Sequence, residues 1–215
     1  MTRARDFAAF VARLEAALRE PLPGEASQAR LAPLPRRQWP RGLNPARIRN
    51  AAGLLLIYPR DSRPHILLTV RAHTLERHRG QVSLPGGVVE PGETFVRAAL
   101  REAHEEIGLA PDLVRALGAL TPIDIAVSGF RLHPIVGAAM APPALAPADT
   151  EVARILEIAI DDLSDPARLV TIERKRDGVV MRVPAFCAAG EEIWGATAMV
   201  LAEFLEIAGR AASRG

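Results

Sequence analysis

Between Gly86 and Leu109 the chain reads GGVVEPGETFVRAALREAHEEIGL, and Glu102, Glu105 and Glu106 fall within a single turn of any helix formed there. Like charges one turn apart repel by about 0.2–0.5 kcal/mol per pair. Two further acids, Glu90 and Glu93, stand just upstream. Pro91-Gly92 predicts a turn, Thr94 an N-cap behind it, and Gly108 a left-handed C-terminal stop, so a helix is expected to about Ile107. At about 100° per residue, Val96, Ala99, Leu100, Ala103 and Ile107 make one apolar face that must lie on a core. The three acids form the adjoining ridge. A chain with this segment has to bury one side of the helix and find a use, or enough water, for the other.

A ridge of carboxylates suits a hard divalent cation, because Mg²⁺ and Mn²⁺ take oxygen ligands and keep waters that a substrate phosphate can replace. The same spacing also describes a solvated helical face, and spacing alone does not choose between them. The rest of the composition narrows the field. At 215 residues and 49% hydrophobic content the chain can build one sizeable core. Its 27 basic residues nearly balance 25 acidic ones, which gives little support to a generic nucleic-acid binder. Cys187 is the only cysteine, so an internal disulfide or a cysteine-rich zinc site is ruled out, and a reducing compartment, the cytoplasm, is the expected location. The first 20 residues mix acids and arginines and lack a signal-peptide core. The longest apolar run, Ala51 to Tyr58, is well short of the roughly 20 residues that cross a bilayer, so no membrane span is expected.

Phe7, Phe10, Val11, Leu14 and Leu18 recur at helical spacing and predict a helix over 4–19, able to cap the domain or to pair with another chain. Six prolines between Pro21 and Pro45 predict an extended wrap or linker. AAGLLLIY and HILLTV, separated by PRDSRP, read as two strands of a buried sheet. VRALGALTPID, FRLHPIVGAAM, EVARILEIAI and RVPAFCA read as later strands, DDLSDPARL as a short helical turn, and IWGATAMVLAEFLEIAG as a last helix ending near Gly209. The expected organisation is an N-terminal extension (1–46), one core domain (47–209) and a short tail (210–215). Strands interleaved with helices imply an α+β fold, a mixed sheet covered by helices.

Read from Gly87, the segment runs Gly, five residues, Glu93, seven residues, Arg101-Glu102-Ala103, one residue, Glu105-Glu106, one residue, Gly108 and an apolar Leu109. It resembles the box of the Nudix hydrolases at every fixed position. The resemblance implies the Nudix fold, a mixed β-sheet sandwiched between α-helices, and hydrolysis of a diphosphate joined to another group. It makes Glu102, Glu105 and Glu106 ligands of Mg²⁺ or Mn²⁺, Glu102 and Glu106 foremost, with the Gly87 carbonyl as a further ligand. It implies that Arg101 orients Glu93, a charge-assisted pair that fixes the loop onto the helix. Glu105 or Glu102 is then a candidate to take the proton of the attacking water, with Glu151 a candidate from a later loop. Gly86 and Gly87 let the backbone approach metal and phosphate closely.

Just upstream, LLTVRAHTLERHRGQVSLPGG (Leu67 to Gly87) resembles the additional motif of the coenzyme A diphosphatase branch. Leu67, Leu68, Thr69, Arg71, Ala72, Gly80, Pro85, Gly86 and Gly87 agree with it, whereas Glu76 stands where an arginine is expected, beside Arg77, and Leu84 replaces Phe. Arg71, Arg77, Arg79, His73 and His78 concentrate positive charge there, and arginine forks match phosphate oxygens. Arg71, Arg77 and Gly86 are the expected substrate contacts. The C-terminal Trp194-Gly195 segment is similar to the start of that branch's last helix. The resemblance implies a small-molecule substrate, coenzyme A or an acyl-CoA, cleaved to 3′,5′-ADP and 4′-phosphopantetheine or its acylated form. The rival substrates are ADP-ribose, dinucleoside polyphosphates or modified nucleotides. A non-catalytic sensor or nucleic-acid module is the rival from another class, and the intact acids argue against it. Oligomeric state is left open.

Overall fold

The computed structural model describes residues 2–36, 39, 42, 44, 47–72, 80–147, 151–176 and 178–213. The two apolar runs read from the sequence form the centre: β1 (Arg49–Arg60) and β2 (Arg63–Arg71). They are joined at Asp61-Ser62, both with positive φ (48° and 66°), the two-residue turn whose twist matches that of its strands. The main sheet adds β3 (Val82–Ser83), β4 (Gly86–Val88), β5 (Arg115–Ala119), β6 (Ile123–Ile125), β7 (Phe130–Ala138) and β8 (Val152–Ala159). Its path is β3-β2-β1-β7-β5, with β4 alongside β1, β6 alongside β7 and β8 alongside β2. β1 runs parallel to β7 and antiparallel to β2, so the sheet is mixed, as expected.

Because alternate strand residues face opposite sides, β1 feeds two cores at once. Leu54, Leu56 and Tyr58 pack under α3 (Phe95–Ile107), against Ala98, Ala99, Ala103 and Ile107. Leu55 and Ile57 face the other way, toward α1 (Thr2–Ala17) and α5 (Ala196–Ala212), which contribute Val11, Leu14, Leu201 and Phe204. All five of these β1 side chains are fully buried, each stabilising the fold by about 1.5–3 kcal/mol relative to exposure. The sheet is therefore sandwiched between helices, and the apolar stripe of α1 is covered by α5 of the same chain. Among the described residues no helix is long and apolar enough to cross a membrane.

Several boundaries differ from the sequence reading. The proline-rich stretch contains a helix, α2 (Gly24–Ala29), which starts behind Pro23 and packs on α5. A second, antiparallel sheet is present: β9 (Leu169–Arg176), β10 (Val179–Ala188) and β11 (Glu191–Trp194), in the order β11-β10-β9. Only β10 had been expected. In β9 the charged run Glu173 to Arg176 masks the strand pattern, which suits an edge strand. Trp194 ends β11 rather than opening the last helix, and Gly195 at φ 66° breaks the chain before α5 begins. That helix continues to Ala212, past Gly209. The short turn of helix expected after β8 is α4 (Ile160–Ser164).

Candidate active site

The site begins where β4 lies along the first half of β1, with Gly86 opposite Gly53 and Gly87 opposite Ala52. A Cβ on Gly86 would fall 2.3 Å from the Ala52 carbonyl oxygen, and one on Gly87 would fall 2.5 Å from the Glu102 carboxylate. At Gly86 the obstacle is backbone and only glycine permits the approach; at Gly87 it is the end of the Glu102 side chain, so the β4 backbone lies directly against an acid. The helix that carries the acids is set by its ends. The Thr94 hydroxyl accepts from the Arg97 N–H at 3.2 Å, and Gly108 closes the helix at φ 67°.

Arg101 ties the loop to the helix. Its Nε and Nη2 donate to the two oxygens of Glu93 at 3.1 Å each, Nη2 also reaches the Val88 carbonyl at 3.0 Å, and Nη1 donates to Glu102 at 2.9 Å and Glu105 at 3.2 Å. This arginine fork holds the Glu93 carboxyl below the usual carboxylate range. Glu102 is half-buried, and burial pushes its carboxyl up despite the pull of Arg101. Glu106 is buried at 9% exposure, and its one hydrogen bond among the described residues comes from the Gly86 N–H at 3.3 Å. Burial pushes its carboxyl up to about 7; the Gly86 N–H and Arg71 oppose this, and the Glu102 and Glu151 charges add to it.

A cleft of about 1010 Å³ opens beside these groups, bordered by Glu102, Glu106, Glu151, Arg71, Gly86 and Gly87. Of the ridge of three acids, Glu102 and Glu106 border the cleft, while Glu105 is turned to Arg101 and mostly exposed. Glu151 meets them from the start of β8, its carbonyl accepting from the Ala72 N–H at 2.8 Å and its carboxylate 3.8 Å from Arg71. Arg71 stands at the end of β2, and its Nε is buried without a hydrogen-bond partner among the described residues. A buried donor left unpaired costs about 1–3 kcal/mol, which an anion in the cleft would offset. Arg77, with His73, His78 and Arg79, lies outside the described residues.

As placed, no three His, Cys, Asp or Glu side chains among the described residues form a metal-holding cluster. The donor chemistry nevertheless fits a hard divalent cation: Glu102 and Glu106 are oxygen donors bordering one cleft, the Glu102 charge raises the proton affinity of Glu106, and Gly87 leaves free the space that a Cβ would fill beside Glu102.

The far part of the cleft was not foreseen. Pro33, Pro35 and Arg36 from the N-terminal segment, Val179 and Met181 from β10, and Trp194 all border it. They arrive by tertiary pairing, and no local sequence signal marks them. The Thr197 hydroxyl, which donates to the Val82 carbonyl at 2.8 Å, fixes the start of α5 to β3 on the same side.

Comparison with known proteins agrees with this geometry. The NUDIX domain model matches residues 47–174. The chain is 35% identical over 158 residues to an uncharacterized Nudix hydrolase, NudL, of Enterobacter sp. (strain 638), covering 72% of this chain and 81% of that protein. It is 36% identical over 154 residues to NudL of Yersinia pestis (strain Pestoides F), covering 71% and 76% respectively. Among solved structures, the Nudix hydrolase RenU of M. smegmatis is 26% identical over 55% of this chain and 74% of that one, with a TM-score of 0.45. With the acids, the arginine fork and the paired glycines all in the segment that the domain model spans, the chain belongs to the Nudix hydrolases.

Proposed function

We propose that this Nudix hydrolase cleaves the diphosphate of coenzyme A or an acyl-CoA, releasing 3′,5′-ADP and 4′-phosphopantetheine or its acylated form. The observation that carries the reading is the Nε of Arg71, without a partner among the described residues, beside Glu102 and Glu106: a donor for a phosphate oxygen next to donors for a cation. Arg71 also belongs to the Leu67–Gly87 stretch that resembles the coenzyme A diphosphatase motif.

Glu102 and Glu106, with the Gly87 carbonyl, would hold a Mg²⁺ or Mn²⁺ ion, whose chemistry is to neutralise diphosphate charge and to acidify a bound water. Arg101 holds Glu93, Glu102 and Glu105 in one network, which keeps the 88–93 loop fixed while substrate binds. We assign Glu105 to this positioning. Arg71 engages a phosphate oxygen through its Nε and draws the diphosphate toward the acids. Glu151, loosely paired to Arg71 and mostly exposed, is the candidate to accept the proton of the attacking water. The water oxygen bonds to phosphorus, the bridging P–O bond breaks, and the leaving phosphate carries off the electron pair. Gly86 donates its N–H to Glu106 and so keeps that carboxylate aimed at the cleft.

Purified protein incubated with Mg²⁺ or Mn²⁺ and coenzyme A should release 3′,5′-ADP. No release from coenzyme A, together with brisk cleavage of ADP-ribose, would move the substrate to another branch of the family.

A further inference from the structure

The N-terminal segment packs into the catalytic half of the chain. The Leu34 N–H donates to the Arg182 carbonyl at 2.8 Å, and the Arg182 N–H donates back to Leu34 at 2.9 Å, so residues 32–36 add a short antiparallel rung to β10. Directly opposed residues in such a rung project to one face, and their neighbours project to the other. Leu34, 59% exposed, and Arg182 accordingly face solvent, whereas Pro33, Pro35 and Met181 border the cleft. Prolines present a rigid apolar surface with no N–H to desolvate.

The segment is held in place from behind. Gln28 Nε2 donates to Glu203 at 2.8 Å, and the Ser27 hydroxyl donates to the Ala202 carbonyl at 3.1 Å, so α2 is latched to α5 just before the wall begins. The wall faces a cleft whose volume sits at the upper end of small-molecule sites and whose border includes Ile125, Val127 and Trp194. A diphosphate with small substituents leaves much of that surface wet.

We propose that Pro33, Pro35 and Met181 form a specificity wall that binds an apolar arm carried by the diphosphate substrate, namely the acyl chain of a medium-chain acyl-CoA. The proposal rests on the coenzyme A diphosphatase reading above. Each methylene buried against the wall strengthens binding about fourfold at most. The selectivity therefore acts through KM, because the arm contacts nothing that changes during P–O cleavage.

Release of 3′,5′-ADP from free coenzyme A, acetyl-CoA and octanoyl-CoA, measured for the full-length protein, tests this. In the unmodified protein kcat/KM should be at least tenfold higher for octanoyl-CoA than for acetyl-CoA, with the gain in KM. Met181→Asp should cut the octanoyl-to-free ratio at least tenfold, and Met181→Leu should retain it. Met181 is only partly buried; should the aspartate variant fail to fold, Met181→Gln should cut the same ratio by a smaller factor. A flat response to chain length, or a variant that lowers all three substrates alike, overturns the wall and leaves the diphosphatase reading standing. No release from any of the three overturns both.

Discussion

Two glutamates lie buried on two different helices, and their surroundings are opposite. Glu203, fully buried in α5, accepts from the Gly24 N–H at 3.2 Å, Gln28 Nε2 at 2.8 Å, the Thr121 N–H at 3.2 Å and the Thr121 hydroxyl at 2.6 Å. Glu106, buried in α3, accepts one long bond among the described residues, from Gly86, and faces the charges of Glu102 and Glu151. A buried carboxylate is tolerated when donors fill its lone pairs, and Glu203 meets that condition with neutral groups alone. Its region is a joint, tying the N-terminal segment and the β5–β6 connection to the last helix. Glu106 does not meet that condition. Its region is the proposed site, in which a positive ligand would supply what the fold withholds.

Replacing each residue separates the two roles. Glu106→Gln should lower kcat by about 10³-fold, some 4 kcal/mol at the barrier, while the melting temperature of the metal-free protein holds or rises, because a poorly satisfied charge has been removed. A steady-state assay beside a thermal melt checks both halves. Glu203→Ala should do the reverse, destabilising by about 3 kcal/mol as four donors lose their acceptor, and lowering Tm by about 10 °C for a chain of this size. Equal effects of the two substitutions on stability would erase the distinction between joint and site.

Smaller effects sharpen it. The Glu106 carboxyl, raised from its ordinary 4.5 to about 7 in the folded chain, binds its proton more tightly when folded. The stability this lends is therefore present below about pH 4.5 and is lost as pH rises through about 7. Melts of metal-free protein between pH 5 and 8 should show that decline, and Glu106→Gln should flatten it. Arg101→Lys loses the two-pronged hold on Glu93 and should reduce kcat/KM about tenfold with little change in Tm. Thr94→Ala removes the cap of α3 and should cost about 1 kcal/mol, read from a denaturant titration.

The contrast also explains what could be read from the sequence. Most of what positions Glu106 is local: the cap at Thr94, the stop at Gly108, the glycines of β4 and the Arg101–Glu93 pair all lie within one short stretch, so spacing alone places them on one helix and one loop, whereas Arg71 and Glu151 reach it from β2 and from the start of β8. The buried centre of the sheet was legible for the same reason, since Leu54 to Tyr58 is apolar on both faces, and its mixed character followed from strands interleaved with helices. Glu203 sat unread inside an apolar helix because Gly24, Gln28 and Thr121 come from distant parts of the chain. The cleft wall at Pro33, Pro35 and Met181 was hidden for the same cause, as it depends on one rung of pairing across some 150 residues. β9 was hidden by its charges. Glu105 shows the limit of helical spacing as a guide: it shares a ridge with Glu102 and Glu106, yet Arg101, one turn before it, holds it away from the cleft.

On the proposed function, Glu106 is short of partners among the described residues because a cation completes it. Calorimetric titration of Mg²⁺ or Mn²⁺ into the protein, with a non-hydrolysable coenzyme A analogue present, tests this most directly. Saturable cation binding is expected, at least tenfold weaker in Glu106→Gln and unchanged in Glu203→Gln. Cation binding of equal strength in the parent and Glu106→Gln proteins, or none in either, would contradict it.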